Sequence, residues 1–413
     1  MSKLEELLEQ LCPNGVEYLP IETFATIVRG NGLQKKDFTE KGVGCIHYGQ
    51  IYTFYNTFTY ETKSKVSSEL AETLKQVETG DLVVAITSEN IDDICKCVAW
   101  LGNETIVTGG HAAIIKHKQN SKYLSYFFQT ENFYKQKVKL VTGTKVMDLA
   151  PVKLGKIVVP LPPLPIQEEI VRILDNMTSL TAELTAELTA ELKARQKQYE
   201  YYRDSLLSFD GKGEQDGVRW MKLRDVATKV SSGGTPLKAR TEYYGGDIPW
   251  LRTQEVVFNE IRTTEKTITE EGLNNSSAKW IPANCVIVAI SGATAGRCAV
   301  NKIPLTTNQH CCNFEINPSI ANYKYVFYWV KSQYEILKGM GQGARNDLSV
   351  SIISKYPIPI LSLKEQQRIV DILDRFDKLC NDISEGLPAE IEARKKQYEY
   401  YRDKLLTFKE KEA

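Results

Sequence analysis

The stretch KARQKQYEYYRDSLLSF, from Lys193 to Phe209, returns almost unchanged as EARKKQYEYYRDKLLTF, from Glu392 to Phe408. The same separation relates IVRILD, from Ile170 to Asp175, to IVDILD, from Ile369 to Asp374. A match of this length is not a chance event, and internal repeats decide the architecture of a chain before any local feature does. The sequence therefore predicts two halves, each of which ends in a similar tail.

Both tails carry apolar residues at the spacing of an amphipathic helix. Two long helices with matched stripes are predicted to pack on each other, and Gly386 and Pro388 are predicted to weaken or kink the second one. The stripe of the first helix is Leu180, Leu184, Leu188, Leu192, Tyr199, Tyr202, Leu206 and Phe209, and that of the second is Leu379, Ile383, Leu387, Ile391, Tyr398 and Tyr401.

The segments ahead of the tails differ from each other and look like α+β domains. Short apolar and β-branched runs such as DLVVAITS and CVIVAISG are typical of strands, and SSGGTP and SGATAG are turn signals. Helix is predicted near 122–137 and near 323–338. The predicted organisation is an N-terminal helix packing near the C-terminal helix (1–14), a first globular block (15–160), a central helix (161–210), a second block (211–360) and a C-terminal helix (361–413).

Composition excludes several classes of protein. Lys plus Arg and Asp plus Glu both total 52, so no overall positive field draws the chain to nucleic acid. No apolar run is long enough to span a membrane, and the first residues resemble an amphipathic helix rather than a secretory signal, so a cytoplasmic protein is expected. Cys95 with Cys97 and Cys311 with Cys312 lack the CxxC spacing of metal sites, which favours buried thiols.

No catalytic signature is present. Gly292 and Gly296 lie one residue too close together for a phosphate-binding loop, and no hydrolase, metalloprotease or methyltransferase motif occurs. His111 and His310 are equivalent by the repeat, and a structural or polar-network role is at least as well supported for them as contact with DNA. The chain is therefore predicted to bind rather than to catalyse, with no metal site.

Polar and aromatic residues beside turns are the candidates for that binding. Arg and Lys reach guanine edges or phosphates, and Asn and Gln pair with adenine. Taken singly, each of these residues is as well explained as solvated surface. The candidates are Lys35, Lys36, Tyr48, Gln50, Ser88, Asn90, Thr142, Thr144 and Lys145 in the first block, and Lys238, Arg240, Trp250, Arg252, Gln254, Arg297, Asn308, Gln342, Arg345 and Asn346 in the second.

These features together resemble the specificity (S) subunits of type I restriction-modification systems, over nearly the whole chain. The second block has the order of motifs of that family: SSGGTPLKARTEYYGGDIPWLRTQEV, VAISGATAGRCAV, TTNQHCCNF and GQGARNDLS. The first block shares the closing segment from Val141 to Asp175, but it lacks the Gly-Gly-Thr-Pro opening and the SGATAG glycines. The repeated phrase TAELTAELTAEL, from Thr181 to Leu192, resembles the IC subclass of these systems.

The resemblance implies a non-catalytic subunit of a complex that methylates adenine N6 and cleaves DNA. Each block would be a target recognition domain that reads one half of an asymmetric double-stranded DNA target, and the helices would form an antiparallel coiled coil. That coiled coil would act as a spacer and would dock two methyltransferase (M) subunits, with two restriction (R) subunits in the full complex. S-adenosylmethionine, ATP and Mg²⁺ would belong to those partners, and no cofactor to this chain.

Two further interpretations remain open from the residues. One is a coiled-coil scaffold whose globular blocks bind protein or glycan, because loops rich in Arg, Gln, Asn and aromatic residues suit those ligands too. The other is a self-sufficient nuclease with an unrecognised site. Binding to random duplex DNA across a salt series separates the first from a DNA reader, and cleavage by the chain alone with Mg²⁺ would identify the second.

Overall fold

The computed structural model describes residues 2–209, 211–341, 347–381 and 385–411. Its contacts divide the chain into two compact units. Unit 1 comprises Met1–Glu187 together with Ile391–Ala413, and unit 2 comprises Leu188–Glu390. Of the predicted functional residues, Gln342, Arg345, Asn346 and Ile383 lie outside the described residues.

The helices of the described chain are short within the globular blocks and long in the two tails. They are α1 (Lys3–Leu11), α2 (Ile21–Phe24), α3 (Tyr48–Thr53), α4 (Ser68–Thr73), α5 (Ser121–Phe127), α6 (Glu131–Leu140), α7 (Pro151–Leu154), α8 (Leu164–Leu206), α9 (Glu270–Asn274), α10 (Tyr323–Ser332), α11 (Tyr334–Gly339), α12 (Val350–Ser354), α13 (Leu363–Asn381) and α14 (Leu387–Leu405). The two predicted helical stretches within the blocks are each a pair of helices, α5 with α6 and α10 with α11.

The strands are short, and all of them belong to the globular blocks. In unit 1 they are β1 (Tyr18–Pro20), β2 (Ala25–Arg29), β3 (Val43–Ile46), β4 (Phe58–Thr59), β5 (Ser64–Val66), β6 (Lys75–Val77), β7 (Leu82–Ala85), β8 (Thr87–Ser88), β9 (Cys97–Trp100), β10 (Ile106–Thr108), β11 (Ala112–His117), β12 (Met147–Asp148) and β13 (Val158–Pro160). In unit 2 they are β14 (Arg219–Lys222), β15 (Ala227–Ser232), β16 (Tyr244–Leu251), β17 (Glu260–Ile261), β18 (Thr267–Ile268), β19 (Trp280–Ile281), β20 (Val286–Ala289), β21 (Cys298–Asn301), β22 (Leu305–Thr307), β23 (Cys311–Ile316) and β24 (Pro357–Ile360).

The two units have the same sheet topology. Unit 1 contains a five-stranded sheet of order β2-β11-β7-β9-β4 and a four-stranded sheet of order β5-β3-β10-β6. Unit 2 contains their counterparts, β15-β23-β20-β21-β17 and β18-β16-β22-β19. Even the parallel pairs correspond, β4 with β9 and β17 with β21, β3 with β10 and β16 with β22. The prediction of two α+β domains is confirmed, and the divergent sequence of the first block leaves its topology unchanged.

Central strands of the five-stranded sheets are apolar on both faces because they are covered on both sides. β7 (LVVA) and β20 (VIVA) are buried at every position. One face of each sheet packs on the paired helices of its block, where Tyr123 and Tyr325 are fully buried. The apolar runs that predicted strands therefore mark the centres of the two cores.

A half-buried carboxylate fixes each block to its long helix. The Asp175 carboxylate of α8 accepts hydrogen bonds from Lys122 Nζ (2.8 Å) and from the Tyr126 hydroxyl (2.8 Å). In unit 2 the Asp374 carboxylate of α13 accepts from the Nζ of Lys324 (2.6 Å) and the hydroxyl of Tyr328 (2.6 Å). The repeated IVxILD phrase thus provides the same anchor twice.

Within each unit the long helices lie side by side. In unit 1, the Thr178 hydroxyl of α8 is 2.9 Å from the Tyr398 hydroxyl of α14. In unit 2, the ring of Tyr202 stacks on Phe376 with a centroid distance of 5.4 Å. Burial raises the pKa of Cys380, and Arg195 lies near enough for its positive charge to oppose that rise. Since residue numbers rise along α8 as they fall along α13, the two helices of unit 2 run antiparallel.

The second tail is interrupted where glycine and proline occur. α13 ends at Asn381 and α14 begins at Leu387, with Pro388 as its second residue. Proline suits the first turn of a helix, where its missing N–H has no intrahelical partner, but it disrupts a helix interior. α8 has no such residues at the corresponding place and continues unbroken from Leu164 to Leu206.

The leucine stripe is only partly covered by neighbouring residues. Leu180 is 65% exposed and Leu379 is 37% exposed, whereas Cys380 and Leu387 are buried. An α-helix has 3.6 residues per turn, so a four-residue repeat advances by about 40° beyond a full turn at each step. The leucines therefore rotate away from the neighbouring helix, and only part of the stripe is covered.

The N-terminal helix belongs to the core of unit 1. Leu4, Leu7 and Leu8 of α1 pack on the same apolar cluster as Leu405 and Leu406 at the end of α14. A parallel β-bridge joins Val16 to Glu410 next to this cluster. Both ends of the described chain therefore contribute to one unit.

The cysteines are free thiols, as the sequence predicts. Burial raises the pKa of Cys95, Cys97 and Cys312 to about 12, and it also raises the pKa of Cys311. Such thiols stay protonated at neutral pH and are poor metal ligands and nucleophiles. Within the described ranges, no helix combines the length and the apolar character needed to cross a membrane.

Candidate functional site

A cavity in unit 2 collects several of the predicted binding residues. Lys238, Trp250, Arg252, Gln254 and Asn308 all line this space of about 600 Å³, which we call the Arg252 cavity. They come from three distant segments of the sequence. Their convergence was not predicted.

Parallel strand pairing explains why these segments meet. β16 pairs in parallel with β22, in a register that places Trp250 opposite Thr306 and Leu251 opposite Thr307. The carboxyl ends of parallel strands leave a sheet at the same edge. The 3₁₀ turn Thr253–Glu255 and the turn after β22 therefore emerge side by side.

Arg252 is held in place by carboxylates. Its guanidinium forms an ion pair with Glu255, with Nε 3.5 Å from Oε1, and a short hydrogen bond to Glu265. With the Gln254 amide turned so that its oxygen faces Arg252, that oxygen accepts from Nη2 at 3.0 Å and from Nη1 at 3.2 Å. A planar guanidinium fixed in this way is a directional donor whose orientation is set before a ligand arrives.

The side chains of Trp250 and Asn308 form hydrogen bonds to backbone groups of the same unit. The indole Nε1–H of Trp250 donates to the Gly234 carbonyl at 3.0 Å, and its ring is buried. The Asn308 side-chain oxygen accepts from the backbone N–H of His310 at 3.1 Å. Trp250 is thus a wall of the Arg252 cavity rather than an exposed platform for stacking.

A glycine of the SSGGTP turn is required for this wall. A Cβ on Gly234 would lie 2.5 Å from the Ser277 carbonyl carbon and 2.6 Å from the Ala278 nitrogen. Backbone atoms cannot move aside cheaply, so only glycine allows the turn to approach so closely. This close packing brings the Gly234 carbonyl to the indole of Trp250.

Several side chains of the Arg252 cavity were not among the predicted residues. Lys266 and Thr235 line it, as does Gln309, whose Nε2 lies 3.2 Å from His310 Nε2. Lys266 is brought there by its backbone carbonyl, which accepts from Trp250 N–H at 3.1 Å. Gln309 could have been predicted as a site residue from its position between Asn308 and His310. Nothing in the sequence around Lys266 indicates that it lines the cavity.

The other predicted residues of unit 2 lie apart from this cavity or outside the described chain. Arg240 is exposed and forms an ion pair with Glu242 at 3.3 Å. Arg297 is half-buried immediately before β21, and its Nε has no hydrogen-bond partner among the described residues. The structure therefore does not bring these two arginines into the Arg252 cavity.

In unit 1 one of the predicted residues, Tyr48, contacts His111, and we call Tyr48, Thr87 and His111 the His111 cluster. The ring of Tyr48 lies 4.8 Å from that of His111, and the Thr87 hydroxyl is 2.9 Å from His111 Nδ1. β8, which contains Ser88, pairs with β12, which follows the turn that holds the predicted residues of 142–145. His111 therefore sits in a polar network at an exposed edge, where Thr144 and Lys145 are also exposed.

Some predicted side chains of unit 1 are already engaged locally. Gln50 accepts from the His47 backbone N–H at 3.2 Å and donates to the Ser64 hydroxyl at 2.6 Å. The Asn90 side-chain oxygen accepts from the N–H of Asp92 at 2.7 Å. The hydroxyl of Ser88 accepts from the N–H of Asn90 at 3.1 Å, so this turn is held by its own side chains.

Cationic residues border the His111 cluster. Lys35 and Lys36 are exposed on the 3₁₀ turn Lys35–Asp37. Burial, and then the charges of Lys35 and His111, lower the pKa of His47, so its ring is neutral near pH 7. Arg29, which was not predicted, donates to the Gly110 carbonyl at 3.1 Å and forms an ion pair with Asp148 at 3.3 Å.

The arrangement of both surfaces suits recognition rather than bond cleavage. No group of three or more His, Cys, Asp and Glu in the described ranges could hold a metal ion. Fixed donors, exposed lysines and amides at a concave edge are the groups that contact phosphates and base edges. The two surfaces differ in composition, although the sheets beneath them correspond.

Comparison with known proteins gives a consistent result. The family model for the type I restriction modification DNA specificity domain matches residues 13–194 and again residues 216–393. The chain is 42% identical over 265 residues to the EcoR124I/EcoR124II specificity subunit of Escherichia coli, an alignment that covers 61% of this chain and 63%, less than two thirds, of that subunit. It is 32% identical to a putative type I specificity subunit of Haemophilus influenzae, covering 98% of both chains.

Solved structures show the same fold at low sequence identity. A chain from a structure on complex assembly of the type I R-M system aligns with a TM-score of 0.69 and 16% identity, covering 96% of this chain and 98% of that one. The HsdS subunit of Thermoanaerobacter tengcongensis aligns with a TM-score of 0.60 and 15% identity, covering 97% and 98%.

Proposed function

The chain belongs to the family of type I restriction modification DNA specificity domains, and on that premise we propose that it is the DNA-reading subunit of a type I restriction-modification complex. The relatives are named specificity subunits, so the scaffold interpretation has no support from them. The role is recognition, and the reactions belong to other subunits. The chain would act in the cytoplasm, where the DNA is.

Each block reads one half of a bipartite target in this proposal. The main support is that the two units have the same sheet topology but present different side chains. These are the Arg252 cavity in unit 2 and the His111 cluster in unit 1. Two recognition domains with the same fold but different side chains would select different half-sites, so the target would be asymmetric. Lysines supply affinity that does not depend on sequence, while the fixed donors discriminate bases.

Exchange of one block tests independent reading. Replacing residues 217–359 with the matching segment of another family member should change one half of the target and leave the other half intact. Adenine methylation mapping across the genome of cells that carry the system gives the readout. A change in both halves would contradict the proposal, and an unchanged target would show that this block does not read DNA.

The helices act as spacer and as docking surface. Two methyltransferase subunits would bind them, and two restriction subunits would complete the nuclease. S-adenosylmethionine, ATP and Mg²⁺ would be bound by those subunits and none by this chain. The TAEL phrases support assignment of the chain to the IC subclass. In this proposal, the number of phrases sets the length of the unread gap between the half-sites.

A salt series separates DNA reading from the scaffold interpretation. With its methyltransferase partner, the chain should bind random duplex DNA with an affinity that falls steeply as salt rises, because released counterions drive binding. A complex without DNA affinity and without a salt slope would favour a protein- or glycan-binding scaffold instead.

A further inference from the structure

An exposed pair of tyrosines occurs twice in the chain. Tyr201 is 69% exposed and Tyr400 is 63% exposed. Their neighbours Tyr202 and Tyr401 are 39% and 42% exposed. The phrase KQYEYYRD carries both pairs, one in α8 within unit 2 and one in α14 within unit 1.

The two pairs have the same geometry. The rings of Tyr201 and Tyr202 meet edge to face at a centroid distance of 5.6 Å and an angle of 72°. Those of Tyr400 and Tyr401 do so at 5.3 Å and 74°. Among the residues that the structure describes, none of these four hydroxyls has a hydrogen-bond partner. Aromatic surface with free hydroxyls is characteristic of interface residues.

Identity at exposed positions is concentrated in this part of the repeat. The helical segment before it changes several exposed residues, with Arg172 replaced by Asp371 and Asn176 by Arg375. From 197 to 204 and from 396 to 403, by contrast, every residue is the same in both copies. Since substitutions at exposed positions rarely affect folding, the fold does not explain the identity of the exposed residues among these eight.

The charge of the surface indicates the class of ligand. Each copy of KQYEYYRD contains one Lys, one Arg, one Glu and one Asp, so its formal charges cancel. A phosphate backbone would need an excess of positive charge. A protein partner suits a balanced surface with aromatic residues at its centre.

We infer that each tyrosine pair is the docking site for one copy of the same protein, and that this protein is the methyltransferase subunit. The inference rests on the proposed function and adds to it the residues that make the contact. Identical surfaces in two units give two copies of one partner the same contacts, whereas divergent recognition surfaces face the DNA. The duplicated helix tails are thus kept identical where they meet a partner that is itself present twice.

Single and combined substitutions test the inference in the assembled complex. The full chain would be co-expressed with the methyltransferase subunit of its own system, and native mass spectrometry would count the copies bound. Tyr201→Ala and Tyr400→Ala should each leave one copy bound, and the double variant none. Truncation of an interface anchor weakens binding by about 30-fold or more, so titration should show this loss at one site in each single variant.

Controls separate docking from folding. Tyr60→Ala removes a tyrosine that is 59% exposed in a recognition domain, and it should leave two copies bound. Equal thermal unfolding of all variants would show that the helices remain intact, and Tyr201→Phe should keep most of the ring contact and both copies. If the unmodified chain binds two copies and the double variant still binds two, the tyrosine inference is wrong. If the unmodified chain binds no methyltransferase subunit, the proposed function itself fails.

Discussion

Arg252 is the residue whose geometry points most directly to base recognition. Glu255 and Glu265 orient its guanidinium, and Gln254 lies against it. A side chain fixed in this way loses little conformational freedom when it binds, so its hydrogen bonds contribute more to affinity and to discrimination.

Replacing Arg252 with alanine should weaken methylation of the half-site read by unit 2. A bidentate contact to a base contributes about 1–3 kcal/mol of discrimination, or roughly 5- to 150-fold in preference at one position. Methylation rates on duplexes with each base at each position would measure it. Arg240→Ala, which removes an exposed arginine outside the cavity, is the matched control, and an equal loss on every sequence would show a phosphate contact instead.

His117 should make the stability of the chain depend on pH. Burial lowers its pKa from 6.5 to about 4, and its Nε2 is buried without a partner among the described residues. Below pH 6.5 the unfolded chain binds a proton that the folded chain does not, so the free energy of unfolding falls as pH drops from 6.5 towards 4. The slope contributed by one proton is about 1.4 kcal/mol per pH unit.

Chemical denaturation of His117→Gln across this range would test the assignment. The substitution should flatten the dependence on pH, whereas the exposed His111→Gln variant should keep it. Identical pH profiles for the unmodified chain and His117→Gln would rule out His117 as the group responsible.

At the scale of elements, periodicity and the repeat predicted most of the fold. The helices of both tails, the interruption at Gly386 and Pro388 and the α+β character of the blocks follow from local sequence. What local sequence does not contain is the pairing of distant strands. Arg252 and Asn308 come together because of the register between β16 and β22. Leu180 is exposed because a stripe with a four-residue period rotates slowly around the helix.

The length of α8 should determine the gap between the half-sites. Deleting one TAEL phrase from Thr181–Leu192 would shorten the helix by about 6 Å and rotate its remaining C-terminal part by roughly 40°. That distance corresponds to one or two base-pair steps of about 3.4 Å. We expect the shortened chain to methylate the same half-sites at a smaller spacing.

Methylation mapping in cells with the shortened chain would show the new spacing directly. Adding a fourth phrase is the matched reverse change and should lengthen the gap. Unaltered spacing in both variants would mean that the helix length does not set the gap.

At the scale of the whole molecule, unit 1 is closed by residues from opposite ends of the sequence. The Val16 N–H donates to the Lys409 carbonyl at 2.9 Å, and the Lys411 N–H donates to the Val16 carbonyl at 3.0 Å. The Tyr18 hydroxyl donates to the Phe408 carbonyl at 3.0 Å. Hydrogen bonds therefore join residues 16–18 to residues 408–411 within unit 1.

A circular permutant should therefore keep its specificity. Joining residue 411 to residue 2 through a flexible glycine-serine linker, and opening the chain between Gly211 and Gly217, would preserve both units. Both glycines are exposed and lie outside the helices and strands, so we expect this connection to tolerate a break. Methylation mapping should give the original target. A chain that ends at residue 390 is the control, and it should lose the stability of unit 1.

The closed, duplicated path has an evolutionary consequence. The second block can be exchanged by recombination at the repeated tail sequences, because one copy of KQYEYYRD precedes it (197–204) and another follows it (396–403). Under the proposed function, a population that holds several alternative forms of this block would gain a set of targets that share one half and differ in the other. These targets would arise without any change in the methyltransferase and restriction subunits of the proposed complex.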